Sequence, residues 1–391
     1  IPDMAGIARG KIMPAEKFAE DGGMRLPESV FLQTVTGDYP LETGTAMSPA
    51  EIDIVLKADQ KTVRRVPWAA EPTAQVIHDC FYSDGLEQNK DADYPLKPPV
   101  GRSGRSEPGR QSYSIAAVNE FDPLFDDIYQ FCEDQDIEID TLIHEDGPAQ
   151  MEINLIHGQP LDLADQVFLF KRTAREAALR HKMYCTFMAK PHAKEPGSAM
   201  HIHQSVLDLK TRKNVFSNPD GTPSPLFFSH IGGLQKYMPA AMALFCANVN
   251  SYRRLTRYLS SPINVHWGYD NRTAGLRVPM SDAQARRVEN RVGGADANPY
   301  IAIAASLACG YLGMVEGAQP SDPIVGSAHD LPFGLPRSLD EALRELRACE
   351  PLVKLLGEAF IEAFTLVKEA EYEVFLQVIS SWEREHLLLN V

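Results

Sequence analysis

The chain has no pair of cysteines at metal-binding or redox spacing. Its six cysteines (Cys80, Cys132, Cys185, Cys246, Cys309 and Cys349) are scattered with no CxxC. That argues against a zinc–thiolate centre and against a disulfide framework, and predicts the reduced thiols of a cytoplasmic protein. No apolar run is long enough to span a bilayer, and no basic stretch followed by an apolar one opens the chain, so neither a membrane nor a signal peptide is expected. The patterns GxxxxGK[ST] and GxGxxG are both missing, so neither a P-loop nor a Rossmann site is indicated. Positive charge is also short: 38 Lys and Arg stand against 53 Asp and Glu, a formal net charge of -15. Such a balance argues against nucleic acid as a partner. Internal repeats and low-complexity tracts are absent as well.

What is present is a globular composition, 44% hydrophobic and 23% charged over 391 residues, enough for one large domain and a smaller companion. Three segments alternate catalytic-type polar residues with apolar ones at strict period two. They are Ala149-Gln150-Met151-Glu152-Ile153-Asn154-Leu155, Met200-His201-Ile202-His203-Gln204-Ser205-Val206 and Arg287-Val288-Glu289-Asn290-Arg291-Val292. Side chains of a strand point alternately to its two faces. Glu152, then His201, His203 and Ser205, then Arg287, Glu289 and Arg291 therefore each line one face, with the aliphatic residues packed behind.

Residues 1 to about 85 read as a small β-rich unit, with a turn and short strand at 6–14 and another strand at 61–68. The Pro-, Gly- and Arg-rich stretch 96–110 reads as an exposed loop. Helical spacing follows at 119–134 and 162–182, with Asp162 as N-cap. Strands are expected at 183–191 and 199–209, then helices at 233–247, 299–314 and 339–379. The fold class is α+β, an antiparallel sheet with helices on its apolar face.

Glu145, Glu152, His201 and Glu289 form a carboxylate-rich set with one imidazole, which suits Mg²⁺ or Mn²⁺ better than zinc. Singly, Glu145 reads as a solvated loop residue and His203 as a satisfied core histidine; their coincidence on alternating segments favours a metal site. Arg254, Arg272, Arg277, Arg286, Arg287 and Arg291 fall within about forty residues of one another, where guanidinium forks can bind phosphates and carboxylates in bidentate fashion. Each also admits a surface ion pair, the expected role of Arg286, on the face opposite Arg287. Beside a divalent ion, the arginines suggest a nucleoside triphosphate and a carboxylate substrate, the combination phosphoryl transfer needs.

These segments closely resemble the glutamine synthetase family. The resemblance rests on His144-Glu145 with Gln150-Met151-Glu152, Gly197-Ser198-Ala199-Met200-His201-Ile202-His203-Gln204-Ser205, Asn250-Ser251-Tyr252-Arg253-Arg254-Leu255, Asn271-Arg272-Thr273-Ala274-Gly275-Leu276-Arg277-Val278-Pro279 and Arg286-Arg287-Val288-Glu289-Asn290-Arg291 running into Ala297-Asn298-Pro299-Tyr300. Within the family the chain looks most like the γ-glutamylpolyamine synthetase branch, through Gly101-Arg102-Ser103-Gly104-Arg105, Glu195-Pro196-Gly197-Ser198 and Trp382-Glu383-Arg384-Glu385. The resemblance implies a small N-terminal β-grasp-like domain over 1–85. It also implies a large catalytic domain over 86–391, with a curved antiparallel sheet backed by helices.

It further implies that Glu145 and Glu152 hold one metal, and His201 and Glu289 the other. Gly197, His201, Arg254 and Arg291 would surround glutamate. His203, Ser205, Arg272, Arg277 and Arg287 would handle ATP. ATP would phosphorylate the γ-carboxylate and an amine would displace phosphate, with Arg254 on the α-carboxylate and Arg291 stabilising the transferring group. The catalytic set is then Arg254, Arg272 and Arg291, and the assembly a ring of six subunits or two such rings, with the tail 382–391 locking them.

Three departures mark this chain. The family's Pro-Glu-x-Glu-Phe strand, which carries two more metal-binding glutamates, is absent. A mobile piece of roughly thirty residues is expected to be missing from the chain near 85/86; were it absent from the protein itself, activity would be doubtful. Second, Pro27 and Ser260 align where ammonia-using members place acidic residues, and Pro196 replaces the Asn before Gly197. Losing carboxylates weakens the attraction for a small cation and makes room, so a polyamine or other bulky primary amine is the expected acceptor. A shifted alignment around 259–261 is the plainer account of Ser260. Third, His329 stands where regulated bacterial members carry an adenylylated tyrosine, so that control should be lost. Against this ligase stand glutamine synthetase itself, using ammonia, and a non-catalytic structural homologue. A guanidino-type phosphotransferase would leave the carboxylates unused.

Overall fold

A computed structural model gives the fold and describes residues 2–4, 6–13, 15, 17–18, 24–35, 53–81, 98–107, 111–257 and 261–389. The N-terminal part is β-rich, as its composition predicts. Strands β1 (Met24–Pro27), β2 (Asp53–Ala58) and β5 (His78–Phe81) form an antiparallel sheet in the order β1-β2-β5. Between the last two lies a hairpin of β3 (Arg64–Arg65) and β4 (Ala74–Gln75). The expected strand at 61–68 shrinks to β3, because a one-turn helix at Gln60–Thr62, capped by Asp59, precedes it and Pro67 cannot extend it. The short strand expected at 6–14 does not form among the described residues there, where Ala8 makes only an isolated bridge to Pro2.

Next, helices Ile115–Asn119 and Asp122–Glu133 replace the single helix expected at 119–134. The break at Glu120–Phe121 has a local cause, since Pro123 starts a new helix where its missing N–H costs nothing. Strands β6 (Ile139–His144) and β7 (Met151–Leu155) form an antiparallel hairpin. Helix Pro160–Arg180 follows, two residues earlier than the spacing predicts. Pro160 sits at its first position and Gln159, not Asp162, at the cap, without a side-chain cap bond.

No strand forms at 183–191, and within 199–209 only β8 (Ile202–Gln204) is regular. Flanking residues leave the ladder for isolated bridges, Ala199 to Gly294 and Leu207 to Asn214. β9 (Trp267–Tyr269), β10 (Leu276–Val278) and β11 (Val288–Asn290) complete a four-stranded sheet in the order β8-β11-β10-β9. Three of its strands are antiparallel as expected; β9 runs parallel to β10.

The sheet's apolar side carries Ile202, Val288, Leu276, Val278 and Trp267, all buried in the main core. Behind them pack helices Pro225–Tyr237 and Pro299–Glu316. Their crossing is made close by Gly233 and Gly313: a methyl built on Gly233 would lie 2.5 Å from the Gly313 Cα. Asn298 caps the second helix, its side chain accepting from the Tyr300 N–H at 3.0 Å. By length and composition this helix could cross a membrane; it serves here as a packed element of the core, with Ala302, Ala305 and Cys309 fully buried. The expected helix at 233–247 splits into Pro225–Tyr237 and Met242–Phe245 at Pro239, and the one at 339–379 into Leu339–Ala348, Glu350–Leu356 and Glu358–Leu376 at Pro351 and Gly357.

Candidate active site

The hairpin β6–β7 brings two glutamates to one end. Ile143 pairs with Glu152 in the ladder, so Glu145 leaves the end of β6 directly beside it. The connecting turn is tight: Glu145 N–H donates to the Gln150 carbonyl at 2.7 Å, and Ala149 takes a left-handed φ of 51°. The Ala149 N–H donates to Glu107, a residue that the sequence pattern gave no reason to select. Asn154, two residues on and so on the same strand face, donates to Glu152 Oε1 at 2.9 Å. Burial, and then the charge of the neighbouring Glu152, push the Glu145 carboxyl above the usual carboxylate range. Two like charges gathered in a half-buried place call for a cation.

The second cluster centres on Glu289 in β11. Register sets its partners, since it stands opposite His203 of β8 on one side and Arg277 of β10 on the other. Arg277 Nη1 donates to its Oε2 at 2.7 Å, Arg291 Nη1 to its Oε1 at 2.5 Å, and His201 Nδ1 lies 3.3 Å from Oε1. Burial opposes the charge of Glu289, but His201 and Arg291 outweigh it and hold the carboxyl at about 2. Burial, and then Arg291, push the His201 imidazole down to about 3, so it stands neutral with a lone pair to offer. Arg277 is held a second time by Asp270, its Nε donating at 3.0 Å. Arg287 donates through Nε to His203 Nδ1 at 3.3 Å.

The third element is Arg254, 2% exposed and on no regular strand. Its Nη2 donates to the Val292 carbonyl and its Nη1 to Ser261 Oγ at 3.3 Å. Its Nε is buried without a hydrogen-bond partner, as is the Nε of Arg291. Gly197 lies against it, where a methyl would meet Arg254 Cδ at 2.8 Å and the Ala189 carbonyl at 2.6 Å. Gln150 Nε2 donates to the Gly197 carbonyl at 3.0 Å, so the carboxylate hairpin and the arginine pocket share a wall.

The structure thus brings together Glu145 with Glu152, His201 with Glu289, Arg277 and Arg291, His203 with Arg287, and Arg254 with Gly197. Ser205 and Arg272 are exposed; Arg272 is near enough to Glu145 to act on its charge, and lines a cavity of about 600 Å³ with Asn271, Thr273 and Ile324. Arg286 is no ion pair: it donates to the Gly221 carbonyl at 2.9 Å and to Ser217, pinning a loop. Ser260 and the 85/86 junction lie outside the described residues, and of Pro27 only its place in β1 is described. The sequence covers 82–97 without interruption and contains no Pro-Glu-x-Glu-Phe. The expected mobile piece is therefore not part of this 391-residue chain.

Among the described residues, no three His, Cys, Asp or Glu side chains surround one point. The Glu145–Glu152 pair fits a hard divalent ion that takes its remaining ligands from phosphate oxygens and water, as Mg²⁺ commonly does. The His201–Glu289 pair fits less fully, since both Glu289 oxygens are already engaged by arginine.

Comparison with known proteins gives the family. Residues 70–387 match the family model described as glutamine synthetase, catalytic domain. The chain is 32% identical to the gamma-glutamylputrescine synthetase of Escherichia coli (strain K12), over an alignment of 435 residues that covers all of this chain and 91% of that one. The alignment is longer than the chain, so that relative has positions without a counterpart here. Identity is 29% to the glutamate–isopropylamine ligase of Pseudomonas sp, covering 97% and 92% of the two chains. A solved GmaS–ADP complex superposes with a TM-score of 0.82 at 26% identity, covering 99% and 95%.

Proposed function

The chain belongs to the glutamine synthetase family of ligases, and from that footing we propose that it joins the γ-carboxylate of glutamate to an amine at the expense of ATP. The observation that carries the proposal is Arg254, a buried guanidinium with an unpartnered Nε, backed by Gly197, which Gln150 ties to the hairpin of Glu145 and Glu152. A buried guanidinium with an unsatisfied donor is costly to hold away from water, and an arriving anion relieves that cost.

In this reading Arg254 and Gly197 seat the amino-acid end of glutamate, with His201 and Arg291 closing the pocket. A γ-carboxylate oxygen attacks the γ-phosphorus of ATP and ADP leaves. The amine then attacks the acyl carbon of the γ-glutamyl phosphate, inorganic phosphate departs, and the nitrogen releases a proton to leave the amide. Arg291 offers its free Nε to the charge that develops as the phosphoryl group moves. His203, Ser205, Arg272, Arg277 and Arg287 line the approach of the nucleotide. Glu145 with Glu152, and His201 with Glu289, would hold Mg²⁺ or Mn²⁺, which would neutralise phosphate charge.

The amine is read as an organic one, a polyamine or another bulky primary amine. Two named relatives ligate glutamate to putrescine or isopropylamine, and Pro27 and Pro196 are not acidic. The same reading takes the N-terminal strands, through residue 85, as a β-grasp-like domain and 86–391 as the catalytic domain, in a cytoplasmic ring of six or twelve subunits. An exposed apolar tail, Leu388 at 73% and Leu389 at 91%, is consistent with subunit contacts. A phosphate-release assay with ATP, Mg²⁺ or Mn²⁺, glutamate and a panel of ammonia, putrescine, spermidine and aromatic amines tests it. Release should need glutamate and be fastest with an organic amine; ammonia as best acceptor by a wide margin would make the chain a glutamine synthetase, and no release with any acceptor would make it a non-catalytic homologue.

A further inference from the structure

The segment 324–334 lines the Arg272 cavity at its start, through Ile324 to Ser327, and is tied to two loops of the site just described. Ile324 N–H donates to the Trp267 carbonyl at 2.8 Å, and Asn271 Nδ2 to the Gly326 carbonyl at 2.9 Å. Ala328 N–H donates to Thr273 Oγ1 at 2.8 Å, next to Arg272. On the other side, Asn264 Nδ2 donates to the Ala328 carbonyl at 2.9 Å and Gly334 N–H to the Ile263 carbonyl at 3.0 Å. Arg257 donates to the His329 carbonyl and its guanidinium lies 5.0 Å from the Phe333 ring.

At the centre is His329, 7% exposed. Its Nε2 is 3.0 Å from the Ser261 carbonyl; since a carbonyl only accepts, Nε2 carries the proton and donates. Ser261, itself 4% exposed, accepts from Arg254 Nη1 through its hydroxyl. One side chain thus fixes the backbone of the residue that fixes Arg254, in a place where each lost bond leaves a buried polar atom unsatisfied.

We propose that His329 is a positioning residue: through its bond to the Ser261 carbonyl it sets the seat of Arg254 and thereby the affinity for the acidic substrate. It touches neither substrate nor nucleotide. The substrate half of this proposal rests on the reading of Arg254 as the glutamate-binding arginine. A displaced Arg254 weakens ground-state and transition-state binding alike, so the effect belongs in KM and not in kcat.

The test compares His329→Phe, which keeps an aromatic ring without a donor, and His329→Gln, whose side-chain amide can reach the same carbonyl, with the wild type. Two readouts are taken on the full chain. Amide hydrogen exchange of the peptide spanning 251–264 reports the strap directly, and steady-state kinetics with glutamate, ATP and the best acceptor report its consequence. The expected result is faster exchange in His329→Phe and near wild-type exchange in His329→Gln. With it, the glutamate KM rises about tenfold in the first variant while its kcat and ATP KM stay within about twofold, and the second variant recovers most of the loss. Unchanged exchange in both variants overturns the proposal, and so does a parallel rise in both KM values or a Gln variant no better than Phe. If the wild type turns over no glutamate with any amine, the functional reading fails on its own and the substrate half of the proposal fails with it. The exchange data still decide whether His329 holds the strap.

Discussion

Glu289 and Arg291 stand two residues apart and form an ion pair of 2.5 Å with side chains only 2% and 6% exposed. Their spacing is that of one strand face, and the pair persists although Arg291 lies just past the end of β11. Glu289 also accepts from Arg277, so one carboxylate serves two guanidinium groups and the geometry of both depends on it.

Replacing Arg291 with Ala should abolish useful turnover while leaving the fold intact, because Glu289 keeps Arg277 as a partner. Loss of one preorganised cation facing a developing charge costs about 10²–10³ in kcat. Kinetics with saturating glutamate and ATP check this; a rate within about fivefold of wild type removes the role given to Arg291.

Glu289→Gln should behave differently, as a stability variant. A neutral amide leaves two guanidinium groups in a buried place without their shared counter-charge, a change that typically costs about 3–5 kcal/mol. Arg277 retains Asp270, so the lower end of that range is expected. Urea unfolding measures it, and a loss under about 1 kcal/mol would contradict the buried network.

At the helix crossing, Gly233→Ala should cost about 1–3 kcal/mol through overpacking. The new methyl meets the Gly313 Cα at 2.5 Å and the backbone of Cys309, atoms that move only with the helix. Thermal unfolding should show a clear fall in Tm, whereas alanine at Gly326, where nothing lies within 4 Å, should leave Tm nearly unchanged.

Lys171 gives a pH signature. Its ammonium donates to the Ala297 carbonyl at 2.7 Å, and burial pushes it from the ordinary value of 10.5 down to about 8. Between those two values the unfolded chain binds more protons than the folded one, so stability rises with pH across that window and the contribution is flat below it. Lys171→Met removes the group. The difference in unfolding free energy, wild type minus variant, should therefore climb from about pH 8 towards pH 10; a difference independent of pH would show that Lys171 titrates normally.

The polar constellation was legible because its signals are local. Period-two alternation marks residues of one strand face, and Glu145, Glu152, His201, Glu289 and the arginines carry side chains that ordinary solvated faces rarely gather. The short reach of β8, only three residues, was not legible: alternation continues to Val206, but pairing ends where Ala199 and Leu207 find partners in loops. Glu107, Ser261 and His329 were missed as supports for the site for the same reason. Glu107 and His329 act through backbone groups far away in sequence, Ser261 through a hydroxyl whose direction the loop decides, and no spacing announces such bonds.

The sequence by itself determined which residues share a strand face, because alternation acts over a few residues; helix starts needed the structure, which moved the cap from Asp162 to Gln159. It also determined the family, through motifs in fixed order. Only the tertiary structure decided that Glu289 would be shared by Arg277 and Arg291, that Glu145 would be pressed against Glu152, and that Arg254 would be buried with a free Nε behind Gly197. Those outcomes depend on strand register and on which loops are strapped together. Both are set by burial and hydrogen-bond satisfaction summed over residues distant in the chain.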